Sequence, residues 1–194
     1  MIGVCITTLN EVATIGSLIR YFSEKPERFQ VYLVDDVSTD GTQAAAVEAK
    51  VHFIQTNGHR LGIAKSLMIA WEAALKDGCT HILQIDAGGS HDPFDAEQML
   101  DIADIPNHNN HYPDLVIGSR FAPGAKYVHF GRKTRPRLSK LATWMCNWAH
   151  GSCWTDWTSG YRVFSRRCVE KLLSYSYLST MHGWQIETLA RAGA

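Results

Sequence analysis

Val31-Tyr32-Leu33-Val34-Asp35-Asp36-Val37-Ser38-Thr39-Asp40-Gly41-Thr42 sets an apolar, β-branched run directly against two adjacent carboxylates and a series of turn-forming residues. That is the pattern of a short buried strand ending in a polar turn. The pattern recurs outward from this stretch. Gly3–Thr8 leads into Leu9-Asn10-Glu11, Val51–Gln55 follows, His81–Ile85 leads into Asp86-Ala87-Gly88-Gly89-Ser90-His91-Asp92-Pro93, and Asp114–Gly118 comes last. Helical periodicities separate these runs, as in Gly62–Lys76, where Ile63, Leu67, Ala70 and Ala74 share one face. Strands alternating with helices predict an α/β fold, Rossmann-like, with a mostly parallel sheet and helices on both faces. Such sheets bind ligands beyond the carboxyl ends of their strands, so the chemistry is expected there.

The 194 residues are 45% hydrophobic and 20% charged, which suits one domain with a proper core. Formal net charge is zero, which argues against a nucleic-acid partner and makes any charge argument local. Cys5, Cys79, Cys146, Cys153 and Cys168 are odd in number and scattered, without the close pairing of zinc or redox sites, so a reducing cytoplasm is expected. The apolar run after Met1 has no basic prelude and is too short for a signal or a membrane span.

Polar residues collect at three predicted strand ends, after Thr7, Val34 and Ile85. Each cluster alone reads equally well as turn and cap chemistry, with Ser38 or Thr42 capping a helix and Asp92 starting one before Pro93. Capping does not call for two adjacent carboxylates straight after an apolar strand. Together the clusters point to a ligand site.

The ordered motifs resemble those of the family 2 glycosyltransferases of GT-A fold, in particular the polyprenyl-phosphate glycosyltransferases related to dolichol-phosphate mannose synthase. Thr8-Leu9-Asn10-Glu11 is similar to their YNE signature, and Val34 to Thr42 to their VDDxSxDGT. Ile85 to Pro93 resembles their DxD segment, Ile117-Gly118-Ser119-Arg120-Phe121 their IGSRY, Asp156 to Arg162 their DxTSGFR, and Gly183 to Glu187 their GYxFQIE. The resemblance spans nearly the whole chain. It implies a nucleotide-sugar donor, GDP-mannose or a UDP-hexose, bound by Thr8, Asn10, Glu11, Asp35, Asp36, Ser38, Arg60 and Asp86. It also implies a divalent cation, Mg²⁺ or Mn²⁺, on Asp86, with Arg120, Asp156 and Glu187 beside Asp86 as catalytic candidates. Arg60 reads equally as a solvated turn residue.

One departure stands out. Gly88 occupies the place of the second DxD carboxylate, and Ser90 a place where relatives carry Gln, so any cation is expected to be weakly held.

No acidic residue lies between Asp114 and Asp156, while Arg120, Lys126, Arg132, Lys133, Arg135, Arg137 and Lys140 all do. This basic stretch runs into Trp144, Trp148, Trp154 and Trp157, side chains that suit a membrane–water interface. The alternative reading makes Leu138, Leu141, Met145 and Trp148 a core stripe. The resemblance favours a polyprenyl-phosphate acceptor at a membrane surface, bound by Arg132, Arg135, Arg137, Ser139 and Arg162, and hence a cytoplasmic protein peripheral to the membrane.

Three readings remain open: inverting transfer to a lipid phosphate, transfer to a sugar hydroxyl with Glu187 or Asp156 as base, and a nucleotide-sugar-binding protein without turnover. Residues 1–119 are expected to form the donor half and 120–194 the acceptor half of one GT-A domain. Relatives continue past Ala194 into another strand and a basic loop, so a C-terminal truncation is expected.

Overall fold

The computed structural model describes residues 1–125, 135–181 and 183–193. In chain order the elements are β1 (Ile2–Thr8), α1 (Val12–Ser23), β2 (Phe29–Asp35), α2 (Thr42–Glu48), β3 (Phe53–Thr56), α3 (Ile63–Lys76), β4 (His81–Gln84), α4 (Asp95–Ala103), β5 (Leu115–Ile117), α5 (Arg135–His150), β6 (Arg162–Ser165), α6 (Arg166–Leu173) and α7 (Gly183–Ala192). The sheet has six strands in the order β3-β2-β1-β4-β6-β5. β1 to β4 run parallel, and β6 lies antiparallel between β4 and β5. The Thr158–Phe164 segment thus inserts a strand from the second half of the chain into the sheet of the first.

Alternation along the strands sends side chains to two cores. Val4, Ile6 and Leu33 meet Ile15, Ile19 and Phe22 of α1 and Met99 and Leu100 of α4 on one face. Cys5, Tyr32 and Val34 meet Leu67, Ala70 and Trp71 of α3, Val169 and Leu172 of α6, and Trp184 of α7 on the other. Helices therefore cover both faces, as the near-continuous apolar character of β1 and β2 requires. β3 begins later than its apolar run suggests, because the Val51 amide bonds the Ala46 carbonyl and holds the chain in the turn leaving α2.

Register sets the site. Thr8 pairs with Asp35 and Asp35 with Thr56, while β4 pairs with the first half of β1, so the carboxyl ends of these parallel strands open at one edge of the sheet.

Candidate active site

A cavity of about 750 Å³ lies at that edge. Thr8 and Glu11 enter it from the end of β1, Asp36 from β2, Arg60 and Gly62 from the turn before α3, Asp86 and Gly88 from β4, and Gln185 from α7.

Asp36 holds the cavity wall together. Its Oδ1 accepts from the Leu61 amide at 2.7 Å and from Asn57 Nδ2 at 3.0 Å, and its Oδ2 accepts from the Gly62 amide at 3.1 Å. Burial would raise its pKa, but these hydrogen bonds and the nearby Arg60 charge bring it below the ordinary carboxylate value. Gly62 stands at φ +83, and a Cβ there would meet the Thr180 carbonyl at 2.8 Å, so only glycine lets the turn pass this close. Asp36 lines the cavity, and its carboxylate is also bound to the chain's own turn.

Asp35, Ser38 and Asn10 do not line the cavity. Asp35 is fully buried and accepts from the Ser38 amide, the Ser38 hydroxyl and Gln43. Ser38 Oγ accepts from the Asn10 amide at 2.8 Å, and Asn10 Oδ1 accepts from the Thr39 amide at 2.9 Å. Thr42 Oγ1 accepts from the Glu11 amide and Asp40 from that of Val12, so the second loop satisfies the amides that open α1. Much of the acidic motif after β2 therefore stitches two loops together.

Asp86 is 51% exposed at the cavity, with Oδ2 3.0 Å from Nε2 of the nearly buried His91. His91 in turn stacks on Tyr161, ring centroids 4.9 Å apart. A Cβ on Gly160 would meet Asp86 Oδ1 at 2.6 Å, so the carboxylate lies directly on the Gly160 backbone. Glu11 is a third cavity carboxylate beside Asp36 and Asp86; burial first, then the charges of Asp40 and Asp86, raise its pKa. These hard oxygen donors fit a divalent cation better than a soft metal.

Asp156 and Arg120 form a bidentate pair, Nε to Oδ2 at 2.8 Å and Nη2 to Oδ1 at 2.9 Å, and Thr158 bonds the same carboxylate through its amide and hydroxyl. Asp156 is fully buried. Burial would raise its pKa, but Arg120 and Thr158 lower it. Glu187 accepts from the amides of Leu178 and Ser179 and from Arg191, which together lower its pKa against the effect of burial. It fastens the segment whose Thr180 and Met181 line the cavity, and does not itself reach it.

Of the residues expected to bind an acceptor, Arg132 lies outside the described residues, as does the side chain of Arg135. Arg137 is exposed and Ser139 half-buried on α5. Arg162 is corrected to the interior: it is fully buried, bonds Thr188 Oγ1 and the Trp157 carbonyl, and has its pKa pulled down to about 10 by burial. Trp157 is likewise buried, with Nε1 donating to Asn147 at 2.7 Å. The core-stripe alternative is overturned, because Leu138, Leu141, Trp144, Met145 and Trp148 are all exposed, Trp148 at 82%. α5 instead docks through polar residues, Thr143 accepting from the Trp157 amide and Asn147 bonding Ser152, Trp154 and Trp157. Its apolar side faces outward.

Sequence reasoning passed over His91, Gly160 and Gln185 as site residues. Gln185 lines the cavity and accepts on its Oε1 from Gln84 Nε2 at 3.2 Å. No charge or periodicity marks such a residue, and its partner lies 101 positions away.

The glycosyl transferase family 2 model matches residues 3–173. Polyprenol monophosphomannose synthase of Mycolicibacterium smegmatis is 29% identical over 195 residues, covering 97% of this chain and 71% of its own. Undecaprenyl-phosphate mannosyltransferase of Micrococcus luteus is 28% identical, covering 96% and 75%. Glycosyltransferase AglJ of Haloferax volcanii is 33% identical, covering 96% of this chain and 56% of its own. Among solved structures, glucosyl-3-phosphoglycerate synthase of Mycobacterium tuberculosis with uridine diphosphate superposes with a TM-score of 0.70 at 20% identity, over 97% of this chain and 64% of that one. The same enzyme with Mn²⁺, UDP-glucose and glycerol 3-phosphate gives 0.69 at 19% identity, over 97% and 64%.

Proposed function

The chain belongs to glycosyl transferase family 2, and from that premise we propose that it transfers a hexose, mannose foremost, from a nucleotide sugar to a polyprenyl phosphate at a membrane surface. It is a glycosyltransferase of GT-A fold. The single observation that carries the acceptor class is that neither of the two carboxylates named from the sequence as a base for a hydroxyl, Asp156 and Glu187, is free to act as one. Asp156 is locked to Arg120 and Glu187 to the 178–179 backbone, both with lowered pKa values. A hydroxyl acceptor needs a base within reach, whereas a phosphate monoester, with a second pKa of about 6, is already ionised.

The donor lies in the cavity in this reading. Thr8 presents a buried hydroxyl with no partner among the described residues, and Gln185 lines the same cavity. Asp86, oriented by His91 and Gly160, would hold the divalent cation, whose charge offsets that of the departing diphosphate. The acceptor's phosphate oxygen then forms the bond to the anomeric carbon as the bond to the donor diphosphate breaks, the electron pair leaving with the nucleoside diphosphate. The carbon inverts and no proton is transferred. Alignment and charge stabilisation supply the acceleration. Arg137, Lys140 and the outward apolar side of α5 support a lipid surface as the place of acceptor binding. The named substrates of the mannosyl-transferring relatives support the same class.

The test is incorporation of labelled sugar, from GDP- and UDP-hexoses with Mn²⁺, into a chloroform-soluble product in vesicles carrying polyprenyl phosphate. Donor binding without any product would instead select a non-catalytic binding protein. Product formed only on a soluble sugar would select a hydroxyl acceptor.

A further inference from the structure

The β4 loop lacks a carboxylate at Gly88, yet the space beside Gly88 is not without one. A Cβ built on Gly88 would stand 3.3 Å from Glu11 Oε1 and 3.7 Å from Oε2. The Glu11 carboxylate therefore occupies the volume that a side chain at position 88 would enter. Its backbone is fixed at the start of α1, the amide donating to Thr42 Oγ1 at 2.9 Å and the carbonyl accepting from Thr14 and Ile15. Glu11 and Asp86 line the same cavity, and among the described residues the Glu11 carboxylate receives no hydrogen bond and no ion pair. Carboxylates that line one cavity repel each other unless a cation comes between them.

We propose that Glu11 supplies, from the β1–α1 turn, the second protein carboxylate of the divalent-cation site whose first is Asp86. This rests on the donor-site reading above. Mg²⁺ and Mn²⁺ are held by one or two carboxylates with phosphate oxygens and water completing the shell, so the pair is sufficient. The missing carboxylate of the β4 loop is thereby replaced from a different strand end. Side chains at 11 and 88 are alternatives for one volume, which makes the proposal reciprocal.

The test titrates Mn²⁺ into protein saturated with GDP or UDP, whichever binds, reading free Mn²⁺ by electron paramagnetic resonance. Glu11→Gln is expected to weaken Mn²⁺ on the order of ten- to a hundredfold while nucleotide affinity in EDTA stays within about twofold. Gly88→Asp combined with Glu11→Ala, which vacates the shared volume, should bind Mn²⁺ more tightly than Glu11→Ala alone, since Gly88 has no positive φ to obstruct a side chain. Glu11→Asp, which retracts the carboxylate, should behave as Glu11→Gln does and guards against a folding artefact. If Glu11→Gln keeps wild-type Mn²⁺ affinity while Asp86→Asn loses it, Glu11 is not a ligand and the donor site stands. If Glu11→Gln loses nucleotide in EDTA, the residue contacts nucleotide directly and the inference is overturned. If Asp86→Asn leaves Mn²⁺ binding unchanged, or neither nucleotide binds folded wild type, the donor-site reading fails and takes this inference with it.

Discussion

Removing the Asp36 carboxylate strands the Leu61 and Gly62 amides and Asn57 Nδ2 at the cavity wall. Asp36→Ala should therefore cost about 2–3 kcal/mol by denaturant unfolding and weaken nucleotide binding through the loosened turn. Wild-type stability with wild-type nucleotide affinity would mean that the turn holds without it. Asp156 carries a pH signature. Its folded pKa is lowered, so its stabilisation is fully present above the unfolded value of about 3.9 and is lost as pH falls through the lower folded value. Asp156→Asn should cost about 3 kcal/mol at neutral pH and flatten the acid limb of the stability curve. An acid limb identical to wild type would show that the Arg120 pair is not formed in solution.

At the scale of elements, α5 is amphipathic in the unusual sense that its polar residues face the protein. Trp144 and Trp148 are 66% and 82% exposed. Replacing both by Ala should change stability by no more than about 0.5 kcal/mol, as surface substitutions do. Binding to vesicles bearing polyprenyl phosphate should fall sharply in the same variant, and an unaltered vesicle affinity would remove α5 from the lipid contact. Arg132→Ala, Arg135→Ala and Arg137→Ala combined should weaken vesicle binding by roughly two orders of magnitude, at about 1 kcal/mol per charge, with nucleotide binding intact. The loss should shrink in high salt, because exposed charges are screened beyond about 10 Å at 0.1 M.

For the molecule as a whole, the cavity joins residues from β1, β2, β4 and α7, so a bound donor ties the two halves of the chain together. At a hundredfold excess over Kd, a ligand specific for the folded state adds about 2.7 kcal/mol, which for this length is about 5–10 °C in Tm. A nucleoside diphosphate with Mn²⁺ should give such a shift and the corresponding monophosphate a smaller one, because only the diphosphate bridges base and cation. Equal shifts for the two would argue against a cation at Asp86.

The strand-helix alternation, the location of chemistry at strand ends and the ordered motifs were legible in the chain because each is local: period, turn chemistry and spacing are read within a few residues. So was the absence of acids between Asp114 and Asp156. What the acidic motif does was not. Ser38, Asp156 and Arg162 find Asn10, Arg120 and Thr188 across the fold, while Asp35 and Glu187 are held by near neighbours in turns whose geometry only the folded chain fixes. Whether α5 hides or presents Leu138, Leu141 and Met145 is equally beyond its sequence, since an apolar stripe defines a face but not what lies opposite. The space beside Gly88 is filled by the Glu11 carboxylate, 77 positions away along the chain. Only the pairing of β1 with β4 brings those two strand ends together, and that register is a property of the packed sheet.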